Sequence, residues 1–244
     1  MPEPRSSRIT DAEIADPRWK DLYRIGGVAS ILIAVAILFA IAAFFIWPFK
    51  PGSASTADIF AALQADRLGG LMSLDLPMPV IVLMSSLPLL ALYVALKRVN
   101  ESLALIALVL GLISIVALIP ARSLAELVLL SESYARATSE AARNHYLAAG
   151  EALHALFNGT AWMVYTVLGG VSTLIFSWLM LRSRIFSPIT AYIGFASVIG
   201  GMGIFIPLIG IPLSLLATLG GVIWSILLAR TFVRLGWPSW PANL

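Results

Sequence analysis

The 244-residue chain carries too little charge for a soluble domain of its length. Hydrophobic residues make up 59% of it and charged residues 12%, with a mean hydropathy of +0.92, whereas soluble domains carry roughly a quarter charged residues. Much of the surface is therefore expected to face lipid. The absence of cysteine excludes disulfides, thiolate metal sites and thiol nucleophiles, and a net charge of +3 without a basic stripe argues against a nucleic-acid partner.

Six apolar runs predict six membrane spans. Residues 1–24 come first and lack the order of a cleavable signal peptide, so we expect an amphipathic segment in the cytoplasm followed by a retained anchor. Because about 20 apolar residues cross the bilayer as a helix, the membrane domain is predicted over residues 25–235. Its spans are about 26–47, 76–96, 103–119, 156–181, 189–206 and 213–229. Residues 236–244, which include two tryptophans, are predicted to be an interfacial tail.

Lysine and arginine are unequally shared between the two sides of this arrangement. The N-terminal segment, the connections after the second and fourth spans, and the C-terminal tail hold eleven of them, and the opposite side holds five. By the positive-inside rule the side with eleven is cytoplasmic. Both termini are therefore predicted to lie in the cytoplasm.

Two connections on the outer side are long enough to fold. Residues 57–67 predict a short amphipathic helix that lies on the outer leaflet. Its apolar side carries Ile59, Phe60 and Leu63. In residues 121–155, Thr138 and Ser139 can cap a second helix that continues into the fourth span. The fold class is thus predicted as an all-α, six-span bundle with an amphipathic helical cap on its outer face.

Glycine pairs lie deep in the last three predicted spans. They are Gly169 and Gly170, Gly200 and Gly201, and Gly220 and Gly221. Small residues let helix backbones approach closely in a membrane. We therefore predict that these glycines pack helices together, with a gating hinge as the alternative.

Asp75 is the only acid within an apolar run. Ionisable residues inside a membrane are costly, so each one is a candidate for function. The order Asp75, Leu76, Pro77 is also typical of a helix start, where the carboxylate caps free amides and proline fits the first turn. Both interpretations of Asp75, a cap and a ligand-binding residue, stay open.

Polar residues near one face of the helix entering the fourth span form the second candidate. They are Glu140, Asn144, Glu151, His154 and Asn158, and the last three are the candidate ligand-binding residues. The Glu-x-x-His spacing occurs in di-iron bundles, but those sites need further inward carboxylates, so no metal or other cofactor is expected. The hypothesis is that this face and Asp75 converge at the mouth of an outward-opening cleft between the second and fourth spans. The alternative is that each residue caps a helix or meets water independently.

Catalytic residues are not predicted. Ser85 and Ser86 lack a nearby base, which a serine nucleophile needs. Two histidines are too few for a three-histidine zinc site, and no glycine loop with lysine could cradle phosphate.

Short segments along nearly the whole chain resemble one protein family. They are Leu71–Leu76, Leu90–Lys97, Ser131–Tyr134, Ala148–Leu153, Gly159–Ala161 and Leu181–Ser187. Their order resembles an uncharacterised family of bacterial six-helix membrane proteins grouped under a domain of unknown function. The resemblance implies a helical bundle in the bacterial inner membrane and supplies no catalytic residue. Asp75, Glu151 and Thr160 fall inside these segments, which adds Thr160 to the candidate ligand-binding residues.

Two classes of function follow. The first is a membrane protein that binds a lipid or other amphiphile, or serves as an accessory subunit of a membrane complex, with lipids and other membrane subunits as partners. The second is a small-molecule transporter in which Pro77, Pro79 and Pro88 break the second span near a substrate site. An intramembrane enzyme ranks third, because no nucleophile or ligand set is present.

Overall fold

The computed structural model describes residues 16–48, 51, 53–206 and 209–237. Within these ranges every regular element is a helix and no strand occurs. The predicted all-α class is confirmed. Most of the predicted N-terminal segment, residues 1–15, and most of the predicted tail, residues 238–244, lie outside the described residues.

Eleven α-helices follow one another in the described ranges. They are α1 (Lys20–Ile46), α2 (Thr56–Ala65), α3 (Arg67–Ser73), α4 (Pro77–Met84), α5 (Ser86–Leu96), α6 (Glu101–Ala121), α7 (Leu124–Arg136), α8 (Glu140–Leu156), α9 (Thr160–Arg182), α10 (Pro188–Met202) and α11 (Gly210–Gly236). Two short 3-10 turns, Pro17–Trp19 and Gly203–Phe205, precede α1 and follow α10.

Five helical segments in the described chain are long and apolar enough to cross a membrane. They are Lys20–Ile46, Pro77–Leu96, Glu101–Arg136, Glu140–Arg182 and Pro212–Gly236. The remaining apolar helix, α10, has 15 residues, fewer than the roughly 20 of a typical span. The chain thus has the helices of a membrane protein, and the predicted count of six spans stays a prediction.

Large apolar side chains cover much of the helix surface. Phe45 of α1, Val116 of α6 and Ile199 of α10 are 72%, 70% and 70% exposed. An apolar surface of this extent is rare on a soluble monomer and typical of a protein in contact with lipid or a partner. The surface therefore agrees with the membrane class.

The second predicted span is irregular at Ser85, between α4 and α5. Pro88 contributes to this irregularity because it has no N–H to donate to the carbonyl four residues earlier. The Ser85 hydroxyl donates to the Ile81 carbonyl at 2.8 Å, and the Ser85 amide donates to the same carbonyl at 3.0 Å. Pro88 thus accompanies a local interruption of a segment that stays helical from Pro77 to Leu96.

The chain divides into two compact units. Unit 1 comprises Met1–Ile31, Leu87–Val109 and Ser172–Leu244, and unit 2 comprises Leu32–Ser86 and Leu110–Val171. Their described residues differ in charge. Unit 1 has nine Lys or Arg and three Asp or Glu, whereas unit 2 has four and seven. Basic residues are therefore concentrated in unit 1.

Aromatic packing joins three segments in unit 1. The rings of Tyr23 and Phe232 are stacked with centroids 6.3 Å apart, and Phe186 meets Phe232 edge-on at 5.9 Å. Gly26 lets the start of α1 lie close to α5, because a Cβ at Gly26 would lie 2.7 Å from the Cβ of Ala91. The start of α1 thereby packs against α5 and α11.

The apolar side of α2 is buried in unit 2. Ile59, Phe60 and Leu63 are 1%, 0% and 5% exposed, and they pack in one cluster with Leu127, Val128 and Phe157. The prediction that α2 lies on a lipid leaflet was therefore wrong. The apolar face of α7 offers a second apolar surface, and joining the two removes both from solvent. Helices α2, α7 and α8 pack together, and the position of this group on the outer face stays a prediction.

Side-chain caps fix where the helices of this group begin. The Ser139 hydroxyl accepts from the Ala142 amide at 3.2 Å, which confirms the predicted start of α8. At α2, Ser55 and Asp58 form a reciprocal capping box. Such caps satisfy amides that have no partner within the helix.

Candidate functional site

Three of the predicted ligand-binding residues line one cavity in unit 2. Its volume is about 280 Å³. The α2–α8 cavity, as we call it, is lined by Thr56, Glu151, His154, Ala155 and Asn158. Nδ1 of His154 lies 3.3 Å from the Thr56 hydroxyl oxygen. The structure therefore brings Glu151, His154 and Asn158 together, and it adds a hydroxyl from another helix.

Gly150 determines the position of Thr56. A Cβ at Gly150 would lie 2.8 Å from Cγ2 of Thr56 and would also collide with the ring of Phe60. The missing side chain lets α2 approach α8. Neither Gly150 nor Thr56 was predicted as a site residue, and the only available signal was a glycine inside an otherwise regular helix.

The polar wall of the α2–α8 cavity suits hydrogen bonding better than catalysis. An ionised glutamate accepts hydrogen bonds, an amide both donates and accepts, and an imidazole does either according to its tautomer. In the part of the chain that the structure describes, no group of three His, Cys, Asp or Glu side chains could hold a metal ion. Thr160 is exposed at the first position of α9 and does not line the cavity.

Asp75 pairs with a cation that the sequence did not single out. Its Oδ2 lies 3.5 Å from Nη2 of Arg122, and it is not among the residues that line the α2–α8 cavity. The predicted convergence of Asp75 with Glu151 in one cleft stays a prediction. The carboxylate instead belongs to a second polar group in unit 2.

Of the two interpretations of Asp75, the capping one was wrong. Helix α4 begins at Pro77 as predicted, but its N-cap residue is Leu76 and no side chain caps it. The backbone of Asp75 has a φ of 66°, whereas a capping residue has an extended backbone. The carboxylate contacts a buried guanidinium instead of the free amides.

Arg122 lies in an aromatic and carbonyl environment at the end of α6. Its side chain is 2% exposed, and Nη1 donates to the Phe157 carbonyl at 3.0 Å. The guanidinium carbon lies 5.1 Å from the centre of the Phe157 ring and 4.9 Å from that of Trp162. Such cation–π contacts stabilise a charge that has lost its water. The sequence signal for this group was an arginine directly after an apolar helix.

The Asp75 carboxyl lies outside the five candidate spans, and its pKa is higher than that of an ordinary aspartate. Burial raises the pKa of Asp75 to about 6, although the positive charge and the hydrogen bond of Arg122 oppose the rise. Desolvation disfavours the charged form of an acid. The charge on this carboxyl therefore changes in mildly acidic solution.

The six glycines predicted to pack helices have different neighbours. A Cβ added at Gly200 would lie 3.2 Å from the Cβ of Ala217, and one added at Gly220 would meet the hydroxyl oxygen of Ser197, whereas one at Gly221 would meet nothing within 4 Å. These positions lie in α10 and α11, which pack against each other in unit 1.

The other three glycines of this set also differ. A Cβ at Gly169 would lie 3.2 Å from the Ser114 hydroxyl oxygen, and one at Gly201 would lie 4.0 Å from the Cβ of Ala217. Gly170 is half-buried. The helix-packing role stays a prediction, which these contacts support most directly at Gly200 and Gly220.

One family model covers most of the chain. It describes a domain of unknown function, DUF4386, and matches residues 25–232. The chain belongs to this family. The predicted membership of an uncharacterised family is thereby confirmed, whereas bacterial origin and the number of helices stay predictions. No curated protein and no solved structure matches the chain. The α2–α8 cavity and the Asp75–Arg122 pair both lie inside the DUF4386 range.

Proposed function

We propose that this DUF4386 protein spans the bacterial inner membrane six times and binds an amphiphile whose headgroup occupies the α2–α8 cavity. The observation that carries this proposal is the wall of that cavity. A carboxylate, an imidazole, an amide and a hydroxyl line this open cavity of about 280 Å³. These groups recognise a ligand by hydrogen bonds and charge, and the proposed role includes no catalysis.

The chemistry of the wall favours a cationic or hydroxylated headgroup. Glu151 supplies a negative charge for an ammonium group, while Asn158 and Thr56 can bond hydroxyls. Sites for drug-sized ligands measure roughly 300–1,000 Å³, so this cavity suits a headgroup without its chains. Leu156, next to the lining residue Ala155, is 39% exposed and offers apolar surface to a tail.

The distribution of charge supports the proposed orientation. Nine basic and three acidic residues in unit 1, against four and seven in unit 2, support a cytoplasmic location for the basic connections and tails of unit 1. Helix α10 with the turn that follows it extends over residues 188–205, which is within the roughly 17–25 residues that a span requires. Six spans with both termini in the cytoplasm are proposed on these grounds.

Native mass spectrometry of the full-length protein, extracted in mild detergent with its own lipids, tests the proposed function. We expect a bound amphiphile on the wild-type protein, loss of that amphiphile in Glu151→Gln, and its retention in Glu140→Gln. The control changes the first residue of the same helix, outside the cavity. A wild-type protein without bound amphiphile, or equal retention by both variants, would contradict the proposal.

A small-molecule transporter is the second candidate function. The irregularity at Ser85 in the second span supports it, because transporters often bind substrate where a membrane helix is interrupted. The α2–α8 cavity argues for amphiphile binding instead, since residues of α2, α8 and the turn after α8 line it. Solute uptake into proteoliposomes that depends on Pro88 would favour the transporter.

An accessory subunit would co-purify with a stoichiometric membrane partner in the same mass spectra.

A further inference from the structure

The guanidinium of Arg122 has more donors than acceptors around it. Nη1 donates to the Phe157 carbonyl at 3.0 Å and lies 3.4 Å from the Ala121 carbonyl, and Nη2 lies 3.5 Å from Oδ2 of Asp75. Nε is buried and has no hydrogen-bond partner in the described chain. A buried donor without an acceptor is destabilising, so this N–H needs an explanation.

The unsatisfied donor belongs to the edge of the guanidinium that recognises oxyanions. The Nε–H and one Nη2–H of an arginine are parallel, and together they match the two oxygens of a carboxylate or a phosphate. Asp75 contacts one side of this edge only, and its distance of 3.5 Å is long for a charge-assisted hydrogen bond. The carboxylate of Asp75 therefore satisfies only part of the hydrogen-bonding capacity of this edge.

Asp75 has the features of a counter-ion that can be displaced. It is the one non-glycine residue with a positive φ in the described ranges, at 66°. Aspartate tolerates a positive φ better than most residues, so the angle alone does not indicate a functional site. It supports one here because the same residue pairs incompletely with Arg122. The side chain is 29% exposed, so the carboxylate can reach water without unfolding its surroundings.

The surroundings of Arg122 provide apolar walls. Phe157 and Trp162 lie against the guanidinium. Apolar surface around a few well-placed polar groups is typical of ligand sites.

We propose that the Nε/Nη2 edge of Arg122 binds the oxyanion head of an amphiphile, a carboxylate or a phosphate, which takes the place of Asp75. The exchange keeps the buried cation paired with an anion at every stage. The bound oxyanion also accepts a hydrogen bond from the Nε–H, which Asp75 does not contact. This site is separate from the α2–α8 cavity and selects the opposite charge, so it does not depend on the proposed function.

Binding of oleate and of dioleoylphosphatidylglycerol to the full-length protein in dodecyl maltoside micelles tests this site. Oleyl alcohol and dioleoylglycerol carry the same chains without the charge and serve as neutral controls. We expect the ¹⁵N-edited NMR signal of the Arg122 Nε–H, assigned through Arg122→Lys, to shift with an anionic ligand and not with a neutral one. A response to oleate alone identifies a carboxylate ligand, and a response to the phospholipid alone identifies a phosphate. A signal that stays unmoved by both, or moves equally with the neutral controls, would overturn the proposal.

Two variants give an independent measurement. Asp75→Asn removes the internal competitor and should tighten binding of the anionic ligand about tenfold, while Arg122→Lys keeps the charge without the planar edge and should weaken it about tenfold. Arg136→Lys, at a position 79% exposed on α7, should leave the affinity unchanged. If Arg122→Lys does not fold, Asp75→Asn decides, and an unchanged affinity in that variant contradicts the proposal.

Discussion

Nη2 of Arg122 lies 3.5 Å from Oδ2 of Asp75, with the arginine side chain 2% exposed and the aspartate side chain 29% exposed. The two residues are 47 positions apart in the sequence. Arg122 also donates to the Phe157 carbonyl, so one side chain ties the end of α6 to the segment before α4 and to the turn after α8. This relationship organises the polar interior of unit 2.

Loss of the buried cation should destabilise the protein. Arg122→Gln removes the charge that pairs with Asp75 and the aromatic contacts around it. Breaking a buried ion pair by removing one partner costs about 3 kcal/mol of unfolding free energy, which a thermal or denaturant unfolding curve in detergent would detect. Arg136→Gln, at an exposed position, is the matched control and should change stability by no more than about 0.5 kcal/mol. Equal effects of the two variants would show that the Asp75–Arg122 pair contributes nothing to stability.

The Asp75 carboxyl should make stability depend on pH in mildly acidic solution. Its pKa is about 6 in the folded protein, above the ordinary value of 3.8 for an aspartate, so between these pH values the folded state binds the proton more tightly. The contribution of this carboxyl to stability is therefore largest below about pH 4 and falls as the pH rises to about 6. Unfolding measured from pH 4 to 7 should show this fall in the wild-type protein and a flatter profile in Asp75→Asn. The other groups facing Asp75 are Arg122 and Tyr165, whose side chains do not ordinarily titrate in this range. If the wild-type protein and Asp75→Asn show identical pH profiles, a group other than Asp75 causes the pH dependence.

Neighbouring glycines of α11 should respond differently to a large side chain. Gly220→Leu places bulk against Ser197 of α10 and should destabilise the protein by about 1–3 kcal/mol, as overpacking does. Gly221→Leu meets open space, because nothing lies within 4 Å of an added Cβ, and should be close to neutral. Thermal stability in detergent compares the two. A neutral Gly220→Leu would mean that α10 and α11 do not need a small residue there.

The approach of α2 to α8 should depend on Gly150. Gly150→Ala introduces a methyl group that would lie 2.8 Å from Cγ2 of Thr56, which forces the helices apart at a cost of about 1–3 kcal/mol. Ala148→Ser, at an exposed position of the same helix, is the control and should leave stability within about 0.5 kcal/mol. Gly150→Ala should also lose the amphiphile in native mass spectra, because Thr56 would move away from His154. Full stability and full retention would show that α2 and α8 adjust without cost.

Reporter fusions test the proposed topology. Fusions at Lys97 and Arg184 should report the cytoplasm, and those at Ser53 and Ser139 the outside, because basic residues favour the cytoplasmic side. A cytoplasmic signal at Ser139 would reverse the arrangement and with it the assignment of the α2, α7 and α8 group to the outer face.

The sequence by itself determined the features that depend on neighbouring residues. Long apolar runs predicted an all-helical membrane protein, Thr138 and Ser139 predicted the start of α8, and Pro77 predicted the start of α4. Each follows from local rules, since the length of an apolar run, a capping hydroxyl and a proline at a first turn act within a few residues. Grouping Glu151, His154 and Asn158 on one face needed helical periodicity only.

Only the tertiary structure decided which faces meet. The sequence placed α2 against lipid and left Asp75 open between a cap and a ligand-binding residue. An amphipathic helix, or an aspartate two residues before a proline, has the same local sequence whether a distant partner covers it or not. The partners are distant in the chain: α7 covers Phe60, Arg122 takes Asp75, and Thr56 completes the wall around His154. These contacts depend on long-range packing, in which a buried charge must find an opposite charge and two apolar faces must exclude solvent together. No local pattern specifies that choice.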